Sequence, residues 1–294
     1  MRRGLEPIAV RPIPPYRITP HLERYCLSGE PMPCTYEHES KRWRALLRVG
    51  DSERPLAVVV RSEGHAPELL FLVEDDLERG LREKAVSALR WVFSLDVDYV
   101  EFIRRASSTP LQQLAWKGFG LRPARAPGVY EALLMALVWD QEKPARALAE
   151  LVRRTASSTS IRGETFYGSP SPDAILSLGV EGLKSIGFSQ QKAEALLGVA
   201  SAQRSGSLPS LEAASENPRE LARSLEEIPG IGRSTAEIAA SLVSRRPWGA
   251  VSVEAAARRI SERLGLRYDP DEMERALGDY VGLAYYLAEH LSQG

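Results

Sequence analysis

The sequence predicts an α+β fold: a small antiparallel sheet with one helix over residues 1-95, followed by a mostly α-helical region over residues 96-294. Two observations predict it. β-Branched and leucine-rich runs separated by short polar turns fill the stretch that ends near Leu95. From Asp96 onward, apolar residues recur instead at helical spacing.

The first region opens on a proline-rich stretch (Pro12, Pro14, Pro15, Pro20) that reads as an extended arm. WRALLRV, PLAVVVRS and ELLFLVED follow as three strands, broken by Gly-Asp-Ser-Glu and Glu-Gly-His-Ala-Pro turns. DLERGLREKAVSALRWVFSL carries Leu77, Leu81, Val86, Leu89 and Val92 in a helical rhythm. His21, His38 and His65 fall in predicted loops and are expected at the surface.

In the second region DVDYVEFIRRA and LQQLAWKG are short helices, and GLRPARAPG is an irregular connector because Pro123 and Pro127 interrupt any helix. VYEALLMALVWDQ is apolar on nearly all sides and reads as a buried central helix. PARALAELVRRTA is amphipathic, SSTSIRGETFYGSPSP reads as a loop, and SPDAILSL and VEGLKSI are two short helices. GLKSIGFSQQKAEALLGVASA has the grammar of a helical hairpin, which LEEIPGIGRSTAEIAASLVS repeats more strongly. The last segment packs one helix through Leu277, Val281, Leu283, Tyr286 and Leu287.

The totals limit what such a chain does. With 38 Lys and Arg against 39 Asp and Glu, the net charge of -1 excludes a uniformly basic nucleic-acid binder. Any contact with nucleic acid must rest on a local patch. Residues 228–264 offer one, with six arginines (233, 245, 246, 258, 259, 263) against three glutamates. No apolar run approaches the ~20 residues needed to span a bilayer, and the opening lacks the apolar stretch of a secretory signal. A cytoplasmic protein without a membrane partner is expected. Cys26 and Cys34 are too few for a four-ligand metal site; a disulfide or free thiols remain, and free thiols are expected inside a cell.

The hairpin at 225-245 carries the clearest chemistry. Pro229 stops one helix, Gly230-Ile231-Gly232 turns the chain, and the next helix begins at once with Ile231 as a plug between the two. A helix starting directly after G-x-G presents unpaired N–H groups and a positive dipole end to an anion. Arg233 beside it, with Arg245 and Arg246 beyond, makes a nucleic-acid phosphate the expected anion. A bare G-x-G serves any tight turn, but here the motif extends through I-P-G-I-G-R-S-T-A to a Pro-Trp-Gly turn and V-S-V-E.

Four pieces in order resemble the helix–hairpin–helix (HhH-GPD) DNA glycosylases, specifically the 3-methyladenine DNA glycosylase II type: GLRPARAPGVYEALLMALVWDQ, IGFSQQKAEALLGVA, IPGIGRSTAE and SVEAAARRISERLGL. The likeness covers roughly residues 20–290 and is strongest after residue 120. It implies a small antiparallel N-terminal domain, a two-lobed helical domain, and hydrolysis of the N-glycosidic bond of damaged, alkylated bases in base excision repair. It implies double-stranded DNA as partner, contacted through Gly230, Ile231, Gly232, Arg233, Ser234, Thr235 and Gln141, by a monomer needing no cofactor. A cation at the hairpin stays open.

The family's catalytic Asp falls on Glu254, so this chain departs from the pattern by one methylene; Ser252, the other candidate, reads as the N-cap of the helix that follows. A carboxylate there stabilises the oxocarbenium-like charge that builds on the deoxyribose and orients the attacking water. Strand-cutting relatives place a Schiff-base lysine where this chain has Ser234, and no lysine follows Lys192. The resemblance therefore implies a monofunctional enzyme without AP-lyase activity. It also lacks the four-cysteine cluster of the endonuclease III branch. The family's aromatic positions on the hairpin's second helix are Ser234 and Ile238 here, which leaves Tyr130, Trp139, Tyr285 and Tyr286 as candidate walls for a flipped base. Glu142 stands where a wedge into the DNA stack is expected and is ill suited to intercalation. The rival reading is a non-catalytic module that uses the same hairpin to recognise damaged DNA.

Overall fold

The computed structural model describes residues 4–26, 31–139 and 144–291. Strand β1 (Leu5–Val10) and helix α1 (Thr19–Tyr25) occupy the stretch expected to be an arm. Pro20 sits in the first turn of α1, where the missing N–H costs nothing. Strands β2 (Cys34–Glu37), β3 (Arg42–Val49), β4 (Ser52–Ser62) and β5 (Glu68–Glu74) complete an antiparallel sheet in the order β1-β5-β4-β3-β2. Helix α2 (Arg79–Val92) covers one face through Ala85, Leu89 and Val92, joining a core with Val58, Phe71 and Phe93.

Helices α3 (Tyr99–Ala106) and α4 (Gln112–Lys117) follow, and Asp98 caps α3 by accepting from Glu101 N–H at 3.1 Å. The connector after α4 is irregular as expected, yet it is buried: Arg122 donates to the carbonyls of Ile13 and Pro15, each at 3.0 Å, and Arg125 to Asp96 at 2.6 Å. Helix α5 (Val129–Trp139) is the buried central helix, with Ala132, Leu133, Leu134, Ala136, Leu137 and Val138 all in the core.

After α6 (Pro144–Thr155) the chain departs from the expected loop within a mostly helical region. The predicted loop is a two-stranded hairpin, β6 (Ala156–Ile161) and β7 (Glu164–Pro170). Its few apolar residues, Ile161 and Phe166, are buried against Leu46, Ala57 and Leu72 of the sheet. Serines and threonines hid that period-2 pattern.

Helix α7 (Pro172–Ile186) joins the two short predicted helices across a kink at Gly179, and α8 (Gln190–Ser205) completes a helical hairpin through a left-handed Gly187. Helices α9 (Leu211–Glu216), α10 (Pro218–Leu225), α11 (Arg233–Leu242), α12 (Val253–Leu264), α13 (Pro270–Leu277) and α14 (Val281–Leu291) finish the fold, with one 3-10 turn (Gly278–Tyr280) before α14. The helices gather around two cores. One joins α5, α7, α8, α10 and α11; the other joins α3, α4, α12, α13 and α14. No helix among the described residues is long and apolar enough to cross a membrane.

The thiols differ from expectation: Cys26 and Cys34 form a disulfide. The end of α1 and the start of β2 bring their Cα atoms to 5.3 Å, well within bonding reach.

Candidate active site

The α10–α11 hairpin is built as its sequence dictates. Ile231 is 5% exposed and plugs the space between the helices. Gly230 has φ +85°, and a Cβ there would lie 2.9 Å from Ala195 Cα of α8, so both backbone conformation and space demand glycine. Gly232 is different: its φ of −88° suits any residue and open space surrounds it. What it contributes is the absence of a side chain over the start of α11. No side chain caps that start, and the first helical bond runs from Ala236 N–H to Gly232 O at 3.0 Å. The earlier N–H groups therefore point outward from an exposed turn toward any anion. Arg233 stands exposed beside them, paired to Glu237 at 2.9 Å. Arg245 and Arg246 are also engaged, with Glu216 at 2.7 Å and Asp279 at 3.1 Å. All three pairs are at the surface, where exchange for a phosphate costs little.

Ser252 caps α12, accepting from Ala255 N–H at 3.2 Å. Glu254 follows in the first turn and is exposed. Its own backbone N–H and the Ser252 hydroxyl, then the charges of Arg219 and Arg233, hold its carboxyl below the usual range. A groove of about 390 Å³ lies beside it, lined by Arg219, Arg223, Arg233 and Ser252 among others.

A neighbouring face of α11 borders a second cavity of about 270 Å³, to which it contributes Ser234, Ile238 and Leu242. Helix α14 supplies Tyr285, Tyr286, Glu289 and His290, and α1 supplies His21, Arg24 and Tyr25. Met135, Trp248 and Arg259 complete the walls. The rings form a connected layer, with Tyr286 3.9 Å from His290 and 6.0 Å from Trp248 between centroids. His290 Nδ1 donates to Tyr286 O at 2.8 Å, so its Nε2 accepts from the Tyr25 hydroxyl, also at 2.8 Å. His21 Nδ1 bonds the Tyr286 hydroxyl at 2.9 Å. Burial pushes His290 down to about 4, His21 well below its ordinary value, and Tyr25 up to about 12. His21, Tyr25, Tyr286 and His290 are therefore neutral across the physiological range. The carboxylate of the lining is Glu289, ion-paired to Arg259 and, at 3.5 Å, to Arg263.

Of the expected aromatic walls, Tyr285 and Tyr286 line this cavity. Tyr130 does not: it is buried, donates to Pro170 O at 2.7 Å, and borders a separate cavity between the sheet and α5. Its place at the start of α5 aims it toward β7. The side chain of Trp139, and Gln141 and Glu142 entirely, lie outside the described residues. Glu254 lines neither the aromatic cavity nor the groove bordered by Ser252, and it is exposed. His21, expected in a surface loop, is 4% exposed and lines the cavity instead, because α1 turns it inward. Thr19-Pro20 as a helix start was the signal that could have found it. Trp248 and Glu289 also escaped sequence reasoning; Trp248 has a φ of +55° that no local pattern announces. Among the described residues, no group of three or more His, Cys, Asp or Glu is placed to hold a metal ion.

No family model matches the chain. A curated relative, the DNA-3-methyladenine glycosylase of Bacillus subtilis (strain 168), is 26% identical over 225 residues, covering 75% of this chain and 74% of the relative. Among solved structures, a 3-methyladenine DNA glycosylase from Archaeoglobus fulgidus superposes with a TM-score of 0.75 at 21% identity, covering 96% of this chain and 97% of that one. The Clostridium acetobutylicum 8-oxoguanine glycosylase/lyase, bound to double-stranded DNA with cytosine opposite 8-oxoguanine, superposes with a TM-score of 0.70 at 17% identity over 98% and 97%. The overall fold is thus one that DNA glycosylases share.

Proposed function

We propose that this chain is a monofunctional DNA glycosylase that hydrolyses the N-glycosidic bond of damaged, chiefly alkylated, bases in double-stranded DNA. The observation that carries it is the two-sided use of α11. Its exposed N-terminus suits a backbone phosphate, while Ser234 and Ile238 on the same helix wall an aromatic cavity sized for one base. A nucleotide anchored at the first and flipped into the second leaves its sugar between them, near the start of α12. The carboxylate that meets the sugar is then Glu254, outside the cavity that holds the base. Its depressed pKa keeps it ionised, as stabilising an oxocarbenium-like centre requires. The curated relative and the Archaeoglobus fulgidus neighbour are named for 3-methyladenine, which supports an alkylated base.

Ser234 stands in the place of the Schiff-base lysine, and no lysine lines the cavity among the described residues. Base loss then uses water, and strand cleavage does not follow. The test is release of methylated bases from duplex DNA in single turnover. Wild type produces abasic sites, Glu254→Gln loses at least about a hundredfold in rate, and borohydride traps no covalent adduct. Equal rates for both proteins remove Glu254 from the mechanism, and a trapped adduct removes the monofunctional reading. The exposure of Glu254 is the one observation favouring a non-catalytic damage-binding protein, which predicts salt-sensitive binding and no abasic product.

A further inference from the structure

Helix α10 turns Leu221, Ala222 and Leu225 to the core and carries Arg219 and Arg223 at i and i+4, on one outer face. Both arginines are exposed, and neither forms an ion pair or a hydrogen bond among the described residues. The arginines around them do: Arg233 is paired to Glu237, Arg245 to Glu216 and Arg246 to Asp279. Like charges one turn apart repel, so two free guanidiniums there suit an anion held by both.

The same two arginines border two grooves. One, of about 350 Å³, reaches α13 and is acidic: Glu216, Glu220, Glu274 and Asp279 outnumber Arg219, Arg223 and Arg246. The other, of about 390 Å³, runs to the start of α11 and on to Ser252. There Arg219, Arg223 and Arg233 face Glu226 and Glu237, an excess of one positive charge, and Glu237 is already engaged by Arg233. Glu254 lies outside this lining but within reach of the Arg219 and Arg233 charges.

Resting on the reading of the α11 N-terminus as a phosphate anchor, we infer that Arg219 and Arg223 clamp one further backbone phosphate of the DNA in the second groove. The strand then runs along α10 and away from the acidic groove. Arg245 lines neither groove and Arg246 lines the acidic one, so both stand off this path. A phosphate carries no sequence information. The clamp therefore sets where the strand lies and leaves the choice of base to the aromatic cavity. It also brings an anion near Glu254, and the Arg219 and Arg233 charges, which act on that carboxylate, offset the repulsion.

The test is equilibrium binding of fluorescent duplex DNA, undamaged or with a central abasic site, by anisotropy over a range of salt, with base release measured in parallel. Losing one phosphate contact flattens the slope of log K against log salt by about 0.9, which is roughly fivefold in affinity near 0.15 M salt. The double variant Arg219→Ala/Arg223→Ala shows that change with both duplexes and by the same factor. Arg219→Lys/Arg223→Lys keeps both charges and with them the slope. Glu226→Gln removes an opposing charge from the groove and tightens binding, a gain that no misfolded variant delivers. Arg90→Ala, at an exposed position on α2, changes nothing. An unchanged slope in the double alanine variant, an equal drop in the double lysine variant, a loss confined to the abasic duplex, or weaker binding by Glu226→Gln overturns the inference. The expected slopes without release of any base by wild type leave the clamp standing and remove the glycosylase reading instead; no binding by wild type removes both.

Discussion

Gly230 and Gly232 look interchangeable in the sequence, and the structure separates them. Gly230 combines a left-handed φ with backbone contact to Ala195, so Gly230→Ala strains the turn and parts α11 from α8. The expected loss is about 1–3 kcal/mol, read by urea unfolding. Gly232→Ala meets open space at an ordinary φ and leaves stability nearly unchanged. Local chemistry of this kind was legible beforehand. Pro229, the glycine elbow, the Ile231 plug and the Ser252 cap all act within a few residues of themselves, and each stands where the sequence put it. That Glu254 would lie outside the aromatic cavity was not legible, because the cavity's walls come from distant parts of the chain.

The elements that mattered most for the site were the hardest to read. Helix α1 was hidden by a proline that opens it, and the β6–β7 hairpin by residues too polar to show alternation. The α1–α14 contact has a measurable consequence. Burial, with Arg24 nearby, holds His290 at about 4 in the folded chain, against an ordinary value of 6.5. Between those values the unfolded chain binds a proton that the folded one refuses, so stability falls as pH drops from about 6.5 toward 4 and levels off below. His290 alone accounts for about 3 kcal/mol of that loss, and His21 acts in the same direction. Urea midpoints at pH 7 and pH 4.5 should show the drop. In His290→Gln, which gains no proton, the drop should shrink.

At the scale of the molecule, three interfaces set the cavity: α1 on α14, α14 on the turn before α12, and α11 on α5. The second depends on Gly282, where a Cβ would overlap the carbonyls of Pro247 and Trp248. Gly282→Ala therefore displaces the left-handed Trp248 turn, with about 1–3 kcal/mol of destabilisation and weaker base binding; thermal unfolding and calorimetric titration with a free methylated base measure both. The general architecture of sheet followed by helices followed from hydrophobic period. The cavity did not, since its walls come from positions between His21 and His290 that only tertiary packing unites. That separation carries a cost in time. The Tyr25–His290 and His21–Tyr286 hydrogen bonds each span 265 positions, among the most distant pairings a chain of this length can make, and such closures are slow. On a ribosome the hairpin is finished while α14 is still being synthesised. In a folding chain the α10–α11 turn should therefore form before the cavity, whose last wall is α14.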